Sequence, residues 1–148
     1  MKASLPICAL LLAGGFASSA LAAEFGTPKE AHAMLVRAVA ELHKDKAAAL
    51  EKFNKGEDGF KDRDLYTFCA DLDGITTAHP THKGQNMNEL KDKEGKAFGV
   101  EILRVATPGE FRQVSYMWPK PGQTQPVKKV TYVTRVGDQV CGVGYYQP

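Results

Sequence analysis

The stretch from residue 65 to residue 80 constrains the fold of this chain most, because its pattern encodes a β-hairpin. Six strand-forming residues run into Asp71, the turn signal Asp73-Gly74 follows, and a second, β-branched run starts at Ile75 and ends at His79-Pro80. Two such runs joined across Asp-Gly are the strongest short-range hairpin signal that a sequence contains. We therefore predict that the fold is organised around an antiparallel hairpin in this stretch.

Alternation along the first predicted strand gives the hairpin two distinct faces. One face carries Tyr66, Phe68, Ala70 and Leu72, and the other carries Leu65, Thr67, Cys69 and Asp71. We predict that one face packs on the core and that the other delivers His79 where the hairpin ends. The residues upstream are expected to support this sheet, and those downstream to complete it.

The first 23 residues have the pattern of a signal peptide. Lys2 gives a positive start, residues 5–16 form a short apolar core, and residues 20–23 are small enough for cleavage. The apolar core is too short for a membrane span, and no later segment approaches ~20 apolar residues. We therefore expect an exported protein, periplasmic or secreted, with one folded domain over residues 24–148.

Charge argues against two classes of partner. The chain has 19 Lys and Arg residues against 17 Asp and Glu residues, a net charge of +2. A nucleic-acid-binding protein shows a basic stripe, and a protein that docks on anionic membranes shows a polybasic cluster. The nearly balanced charge predicts neither, so we expect no nucleic-acid partner and no docking on anionic membranes. The hydropathy pattern predicts no membrane span after export.

Two cysteines lie downstream of the predicted signal peptide, Cys69 and Cys141. An even number of cysteines in an exported chain suggests one disulfide. Such a bond would close a loop of about 70 residues and stabilise the fold by up to about 4 kcal/mol in the chain-entropy model. The alternative is a pair of buried free thiols that pack as small apolar groups.

A long amphipathic helix is predicted for residues 28–54. Thr27 is a capping residue, and Glu30 occupies the position that completes a capping box. Apolar residues recur at roughly helical spacing, which predicts one buried stripe. Asp45 is placed to cap a second segment if the helix breaks there, and Gly56 is a helix stop signal.

The rest of the chain predicts a helical insert and a three-stranded meander. Residues 56–64 form a polar loop, and a short turn within 86–92 and a helix over 96–105 form the insert after the hairpin. Gly142 and Gly144 thin the last strand, and interior glycines often let another group approach the backbone closely. The three further strands span about 111–118, 128–136 and 139–146. The fold class is therefore α+β, with five strands and an insert between strands two and three.

This element order and a series of local motifs resemble the single Cache domain family, type 2. The motifs are Asp62-Arg63-Asp64-Leu65-Tyr66, Asp71-Leu72-Asp73-Gly74, His79-Pro80, Gly84-Gln85-Asn86, Leu90 to Lys96, Tyr116-Met117-Trp118-Pro119, Lys129 with Tyr132-Val133, and Val140 to Tyr146. The resemblance implies a long N-terminal helix packed on a PAS-like five-stranded antiparallel sheet, in a domain that senses ligands outside the cytoplasm. Because the sequence shows no flanking membrane helices and no output domain, we expect a stand-alone exported version.

The resemblance also suggests which residues bind the ligand. Family positions that line the pocket match Tyr66, His79, Tyr116, Trp118, Lys129 and Tyr132. Ligands in this branch are often small organic acids, which suit one ammonium and several neutral donors, at roughly 1.5–3 kcal/mol for each charge-assisted hydrogen bond. Structural roles are the alternative: Trp118 at the core edge, tyrosines as ordinary strand residues, and one of Lys128 and Lys129 facing solvent.

We therefore expect a ligand-binding sensor domain for a small carboxylate, with a membrane sensor protein as a candidate partner and with no enzyme activity, cofactor or metal. His79 and His82 with the nearby aspartates match no established metal site. One alternative is an interaction module in which the helix of residues 28–54 binds a partner. Another is a phosphatase of the haloacid-dehalogenase type, whose Asp-x-Asp-Gly-Thr motif is similar to residues 71–75, although Ile75 replaces the threonine. The C-terminal meander contradicts the parallel sheet of that phosphatase.

Overall fold

The computed structural model describes residues 23–147, and the predicted signal peptide lies outside the described residues except for Ala23. The described part of the chain contains α1 (Pro28–Lys44), α2 (Lys46–Lys55), β1 (Lys61–Asp62), β2 (Leu65–Asp71), β3 (Thr76–Ala78), a 3-10 turn (Met87–Glu89), α3 (Phe98–Val105), β4 (Arg112–Pro119), β5 (Pro126–Val136) and β6 (Gln139–Tyr146). None of the helices within residues 23–147 is long and apolar enough to cross a membrane.

The stretch predicted as one long helix is two helices that meet at Asp45, the residue that the sequence offers as a second cap. The capping box is present at the start of α1: the Glu30 N–H donates to Thr27 Oγ1 at 3.2 Å, and the Thr27 N–H donates to Glu30 Oε2 at 2.7 Å. Asp45 Oδ1 accepts a hydrogen bond from Ala48 N at 3.0 Å and so caps α2. Gly56 ends α2 in the left-handed region at φ +67°, which favours glycine.

The strands form one antiparallel sheet in the order β1-β2-β6-β5-β4, and β3 pairs with β2 outside that path. The five predicted strands are confirmed. The prediction of a plain loop over residues 56–64 is wrong at Lys61–Asp62, which pair with the start of β2. Arg63 makes the turn at φ +55° and is held by hydrogen bonds to the carbonyls of Ala23 and Phe25. Ala23 and Phe25 are distant from Arg63 in the sequence. The residues next to the strand therefore carry no pattern that predicts it.

Both faces of the sheet are buried, so the prediction of one core face is wrong. Leu65 and Cys69 of β2 pack with α1 and α2 on one side. Phe68 and Ala70 pack with the helical insert on the other side. Leu72 lies beyond the end of β2 and is 52% exposed. The insert gives the second face its own apolar cover, which hairpin alternation does not reveal.

Asp92 fixes the insert to the sheet. Its Oδ1 accepts hydrogen bonds from the backbone N–H groups of Glu94 and Lys96 at 3.0 and 2.9 Å, and its Oδ2 accepts one from Met117 of β4 at 3.0 Å. These bonds lower the pKa of the Asp92 carboxyl, that of Met117 most strongly. One buried side chain thus closes the loop before α3 and attaches it to β4.

Cys69 and Cys141 are direct cross-strand neighbours in β2 and β6 and form a disulfide with an S–S distance of 2.05 Å. The bond lies in the layer between the sheet and the two N-terminal helices. It joins positions 72 residues apart and therefore restricts the unfolded chain over about half of its length.

Replacing both Cys69 and Cys141 by alanine should lower the free energy of unfolding by up to about 4 kcal/mol, because the unfolded chain regains loop entropy. Denaturant unfolding with and without a thiol reductant measures the effect. The native protein should lose stability in reductant, whereas the double variant should not respond. Equal stability of the native protein under both conditions would contradict the prediction.

Stability should fall as the pH drops from about 5 to about 2. The Thr27 N–H and the Arg63 guanidinium lower the pKa of Glu30 to about 2, from an ordinary value of 4.5. A carboxyl with a depressed folded-state pKa contributes stability above its unfolded pKa and loses it as the pH falls through the folded value. Thermal unfolding of the native protein and of Glu30→Gln over this range tests the point. The melting temperature of the variant should fall less steeply with decreasing pH than that of the native protein. Identical slopes of melting temperature against pH would refute the assignment.

Candidate functional site

A cavity of about 60 Å³ lies between the sheet and the helical insert. The sheet contributes aromatic side chains to it, the insert contributes apolar side chains, and the loop after β3 contributes histidines. The lining residues are Tyr66, Phe68, Thr76, His79, His82, Gln85, Met87, Leu90, Phe98, Ile102, Tyr116 and Trp118. A largely apolar pocket with a few polar groups is the usual form of a small-molecule site.

Aromatic rings build the wall between α3 and β4. Phe98 stacks on Tyr116 with ring centroids 4.0 Å apart and planes inclined by 6°. Trp118 meets the Phe98 ring edge-on at 5.2 Å. The Tyr116 hydroxyl is satisfied behind this wall by Thr131 Oγ1 at 2.9 Å, and burial raises its pKa. The wall is therefore rigid and uncharged at neutral pH.

Lys129 is a buried cation directly behind the lining. Its side chain is 2% exposed, and its Nζ donates a hydrogen bond to the Tyr66 hydroxyl at 3.0 Å. Nζ also lies 4.5 Å from the ring centroid of Tyr66 and 5.0 Å from that of Tyr146. Lys129 does not itself line the cavity, but it contacts Tyr66, which does.

The charge of Lys129 has no carboxylate partner within residues 23–147, where no acidic oxygen lies within 4.0 Å of Nζ. Burial lowers the pKa of this ammonium, but the phenolic oxygens of Tyr66, Tyr116 and Tyr146 outweigh burial and raise the pKa above its ordinary value. The side chain is therefore charged at neutral pH. The ammonium has no anionic partner among the described residues, and a nearby anion would add a charge-assisted hydrogen bond.

His79 is a neutral donor on the lining. Its Nδ1 accepts hydrogen bonds from the backbone N–H groups of Thr81 and His82 at 3.1 and 3.2 Å, so the ring proton sits on Nε2. Burial, helped by the charges of His82 and Lys129, lowers the pKa of His79 to about 3. The His79 N–H donates to Asn54 Oδ1 of α2 at 3.0 Å, which fixes the loop position.

Tyr132 does not belong to this site, which corrects the prediction from the sequence. It packs on the opposite face of the sheet, where its ring lies 5.3 Å from that of His32 in α1 and 5.8 Å from that of Tyr145. Lys129 and Tyr132 are three positions apart in β5, and residues separated by an odd number point to opposite faces of a strand. Lys129 therefore lies on the face of the sheet that carries the cavity, and Tyr132 lies on the face that packs against the helices.

The other predicted residues gather around one site: Tyr66, His79, Tyr116 and Trp118 on the lining, and Lys129 behind it. Sequence reasoning missed the apolar floor and roof, above all Phe68, Met87 and Phe98. The alternation of β2 places Phe68 on the same face as Tyr66, which is the signal that could have found it. The residues of the insert carry no such signal, because only the tertiary fold brings them onto the sheet.

Asp71 has a structural role. Its Oδ1 accepts hydrogen bonds from the N–H groups of Asp73 and Ile75 at 3.1 and 2.8 Å, which closes the hairpin turn. Residues 23–147 contain no group of three or more His, Cys, Asp or Glu side chains that could hold a metal ion. The antiparallel pairing of β2 on both sides also differs from the parallel sheet of a haloacid-dehalogenase-type phosphatase.

Comparison with known proteins points to one family. The sequence model of the Cache domain matches residues 34–146. A methyl-accepting chemotaxis protein of Pseudomonas putida, McpP, is 32% identical over 75 residues, which make up 49% of this chain and 14% of that protein. The match to that curated relative therefore spans about a seventh of the relative's length.

Three solved structures share the fold at modest sequence identity. A methyl-accepting chemotaxis protein from Vibrio parahaemolyticus has a TM-score of 0.64 and 27% identity, covering 80% of this chain and 86% of that one. A periplasmic sensor domain of a chemotaxis protein has a TM-score of 0.60 and 28% identity, with coverages of 81% and 90%. A Cache chemosensory domain described for carboxylic acid recognition has a TM-score of 0.59 and 26% identity, with coverages of 81% and 88%.

The ring signals of His79 should not move in an NMR titration between pH 8 and pH 5, because burial lowers the pKa of this imidazole to about 3. The signals are assigned by their absence from His79→Gln. A titration of these signals with a midpoint near the ordinary value of 6.5 would show that the ring is solvated and would refute the assignment.

Proposed function

The chain belongs to the Cache domain family, and on that premise we propose that it binds a small carboxylate as a sensor domain outside the cytoplasm. The relatives are sensor domains of chemotaxis receptors, and one of the solved structures is described for carboxylic acid recognition. The proposed location is the periplasm or the extracellular medium. The proposed activity is binding without chemistry.

The observation that carries the proposal is the buried ammonium of Lys129. Its one side-chain hydrogen bond within residues 23–147 goes to the neutral Tyr66 hydroxyl. A carboxylate in the cavity next to Tyr66 would supply the missing negative charge. A charge-assisted hydrogen bond contributes roughly 1.5–3 kcal/mol, which is enough to favour an anion over a neutral molecule of the same shape.

The size of the cavity favours a ligand with few atoms. A cavity needs about 10–15 Å³ of this volume to hold one water molecule, which has one non-hydrogen atom. A cavity of about 60 Å³ therefore has room for roughly four to six non-hydrogen atoms. Acetate, propionate, lactate and pyruvate fall in that range. An amino acid would add an ammonium group close to that of Lys129, which the like charge disfavours.

Neutral donors complete the proposed carboxylate site. The Tyr66 hydroxyl is oriented by Lys129, and the Nε2–H of His79 is free of the backbone bonds that occupy Nδ1. Trp118 adds an apolar surface with one N–H donor. Phe68, Met87 and Ile102 surround the remaining volume with apolar side chains, which suits the short hydrocarbon part of such an acid.

We propose that the ligand-bound state is read by a membrane sensor protein. This part of the proposal is supported by the chemotaxis protein McpP, in which the matched region makes up 14% of a much longer chain. The described residues form a cavity, and the partner is expected to recognise the change that a bound ligand makes around it.

A calorimetric and thermal-shift screen of the purified protein tests the ligand class. Acetate, propionate, lactate and pyruvate are compared with acetamide, glycine and ethylamine. A ligand at 100 times its dissociation constant should stabilise the fold by about 2.7 kcal/mol, which is visible as a shift of a few degrees. Lys129→Met should abolish the carboxylate shift, because methionine fills similar space without charge.

Lys128→Met is the matched control, because its side chain is the exposed neighbour of Lys129 on the same strand. It should leave the carboxylate shift unchanged. No shift from any carboxylate with the native protein would refute the proposed function and favour an interaction module without a ligand. An equal shift in Lys129→Met would refute the role of the buried ammonium.

A further inference from the structure

The last strand of the sheet has no side chain at two successive positions of its cavity face. Gly142 and Gly144 lie there between Val140 and Tyr146, and their backbone is not in the left-handed region. Backbone conformation therefore does not require glycine at either position. The reason for glycine must be space, because glycine in a strand interior weakens the sheet.

The side chain of Lys129 fills the space above Gly144. A Cβ atom built on Gly144 would lie within 3.0 Å of Lys129 Cε and 2.6 Å from Thr131 Oγ1, separations that real Cβ atoms essentially never show. The Thr131 hydroxyl is fixed by the Tyr116 hydroxyl at 2.9 Å. A methyl group at position 144 would therefore displace the flexible lysine chain and would also press on the Thr131 hydroxyl.

The side chain of Lys129 passes over Gly144 before its ammonium reaches Tyr66 and Tyr146. Lys129 stands opposite Tyr146 in the pairing of β5 with β6, and Thr131 stands opposite Gly144. The lysine side chain therefore leans along the strands and crosses β6 diagonally before Nζ reaches Tyr66 of β2. A side chain at position 144 would block this crossing.

We propose that Gly144 is the positioning residue that lets Lys129 cross β6 to the cavity, and that it thereby sets the preference of the site for anions. This inference rests on the proposed function for its ligand and on the packing alone for its geometry. Gly142 has a different role, because its missing side chain accommodates the ring of Phe68 and the carbonyl oxygen of Tyr132.

The first test needs no ligand. Lys129 Nζ lies 4.5 Å from the ring centroid of Tyr66 and 5.0 Å from that of Tyr146. We therefore expect the NMR signal of the ε-methylene, which is bonded to Nζ, to be shifted upfield from those of the exposed lysines. The signal is assigned by its absence from Lys129→Met. In Gly144→Ala it should move to the position of the exposed lysines, and a signal that stays in place would overturn the proposal.

The second test measures specificity. The native protein should bind acetate at least about tenfold more tightly than acetamide, and Gly144→Ala should reduce that ratio to the value found for Lys129→Met. A general loss of stability would weaken both ligands alike and leave the ratio unchanged. An unchanged ratio would therefore overturn the proposal. If the native protein binds neither ligand, the proposed function fails, and the lysine signal still tests Gly144.

Gly142→Ala is the control for strain in β6, because it adds the same methyl group to the same face, with the Phe68 ring and the Tyr132 carbonyl oxygen as its nearest neighbours instead of Lys129. Its lysine signal should keep the native position. If Gly144→Ala does not fold, the double variant Lys129→Ala with Gly144→Ala decides the question. Folding of the double variant would show that the methyl group and the lysine compete for one space. Failure of both variants would assign that space to Thr131 and overturn the proposal.

Discussion

The pairing of β2 with β6 is the constraint on which the rest of the structure depends. It brings residues 67–71 into register with residues 139–143 and joins the N-terminal hairpin to the C-terminal meander. The disulfide between Cys69 and Cys141 closes this pair covalently. The same two strands are covered by α1 and α2 on one face and by the insert on the other. Without this contact there would be neither a two-faced core nor a floor for the cavity.

The buried ammonium of Lys129 is the feature of this sheet on which the proposed site depends. Two tyrosine rings and one hydroxyl surround it, and no carboxylate in the described part of the chain neutralises it. Ring faces and a neutral oxygen stabilise a cation only partly in a low-dielectric setting. Such a site gains more from an anionic ligand than from a neutral one. Under the proposed function, a carboxylate would add the negative partner that these surroundings lack.

The elements were predictable where their signals are local. The capping box at Thr27, the second cap at Asp45 and the hairpin turn at Asp71 each depend on side chains that reach backbone groups a few residues away. The short strand at Lys61–Asp62 was not predictable, because Arg63 is held by carbonyls almost forty residues earlier in the chain. The burial of both faces of the sheet was not predictable for the same reason, because it depends on packing of the helical insert against β2.

The candidate site shows the same division. The sequence by itself determined the residue types and, through the period of two in a strand, that Lys129 and Tyr132 point to opposite faces of β5. Only the tertiary structure decided which face carries the cavity, because the helices pack on Tyr132 and the insert covers the side of Lys129. The tertiary structure also gives the reason that we propose for glycine at position 144, because the lysine that passes over it belongs to another strand. The spacing of residues along a strand fixes the face to which each side chain points. Packing between segments distant in sequence decides what each face contacts.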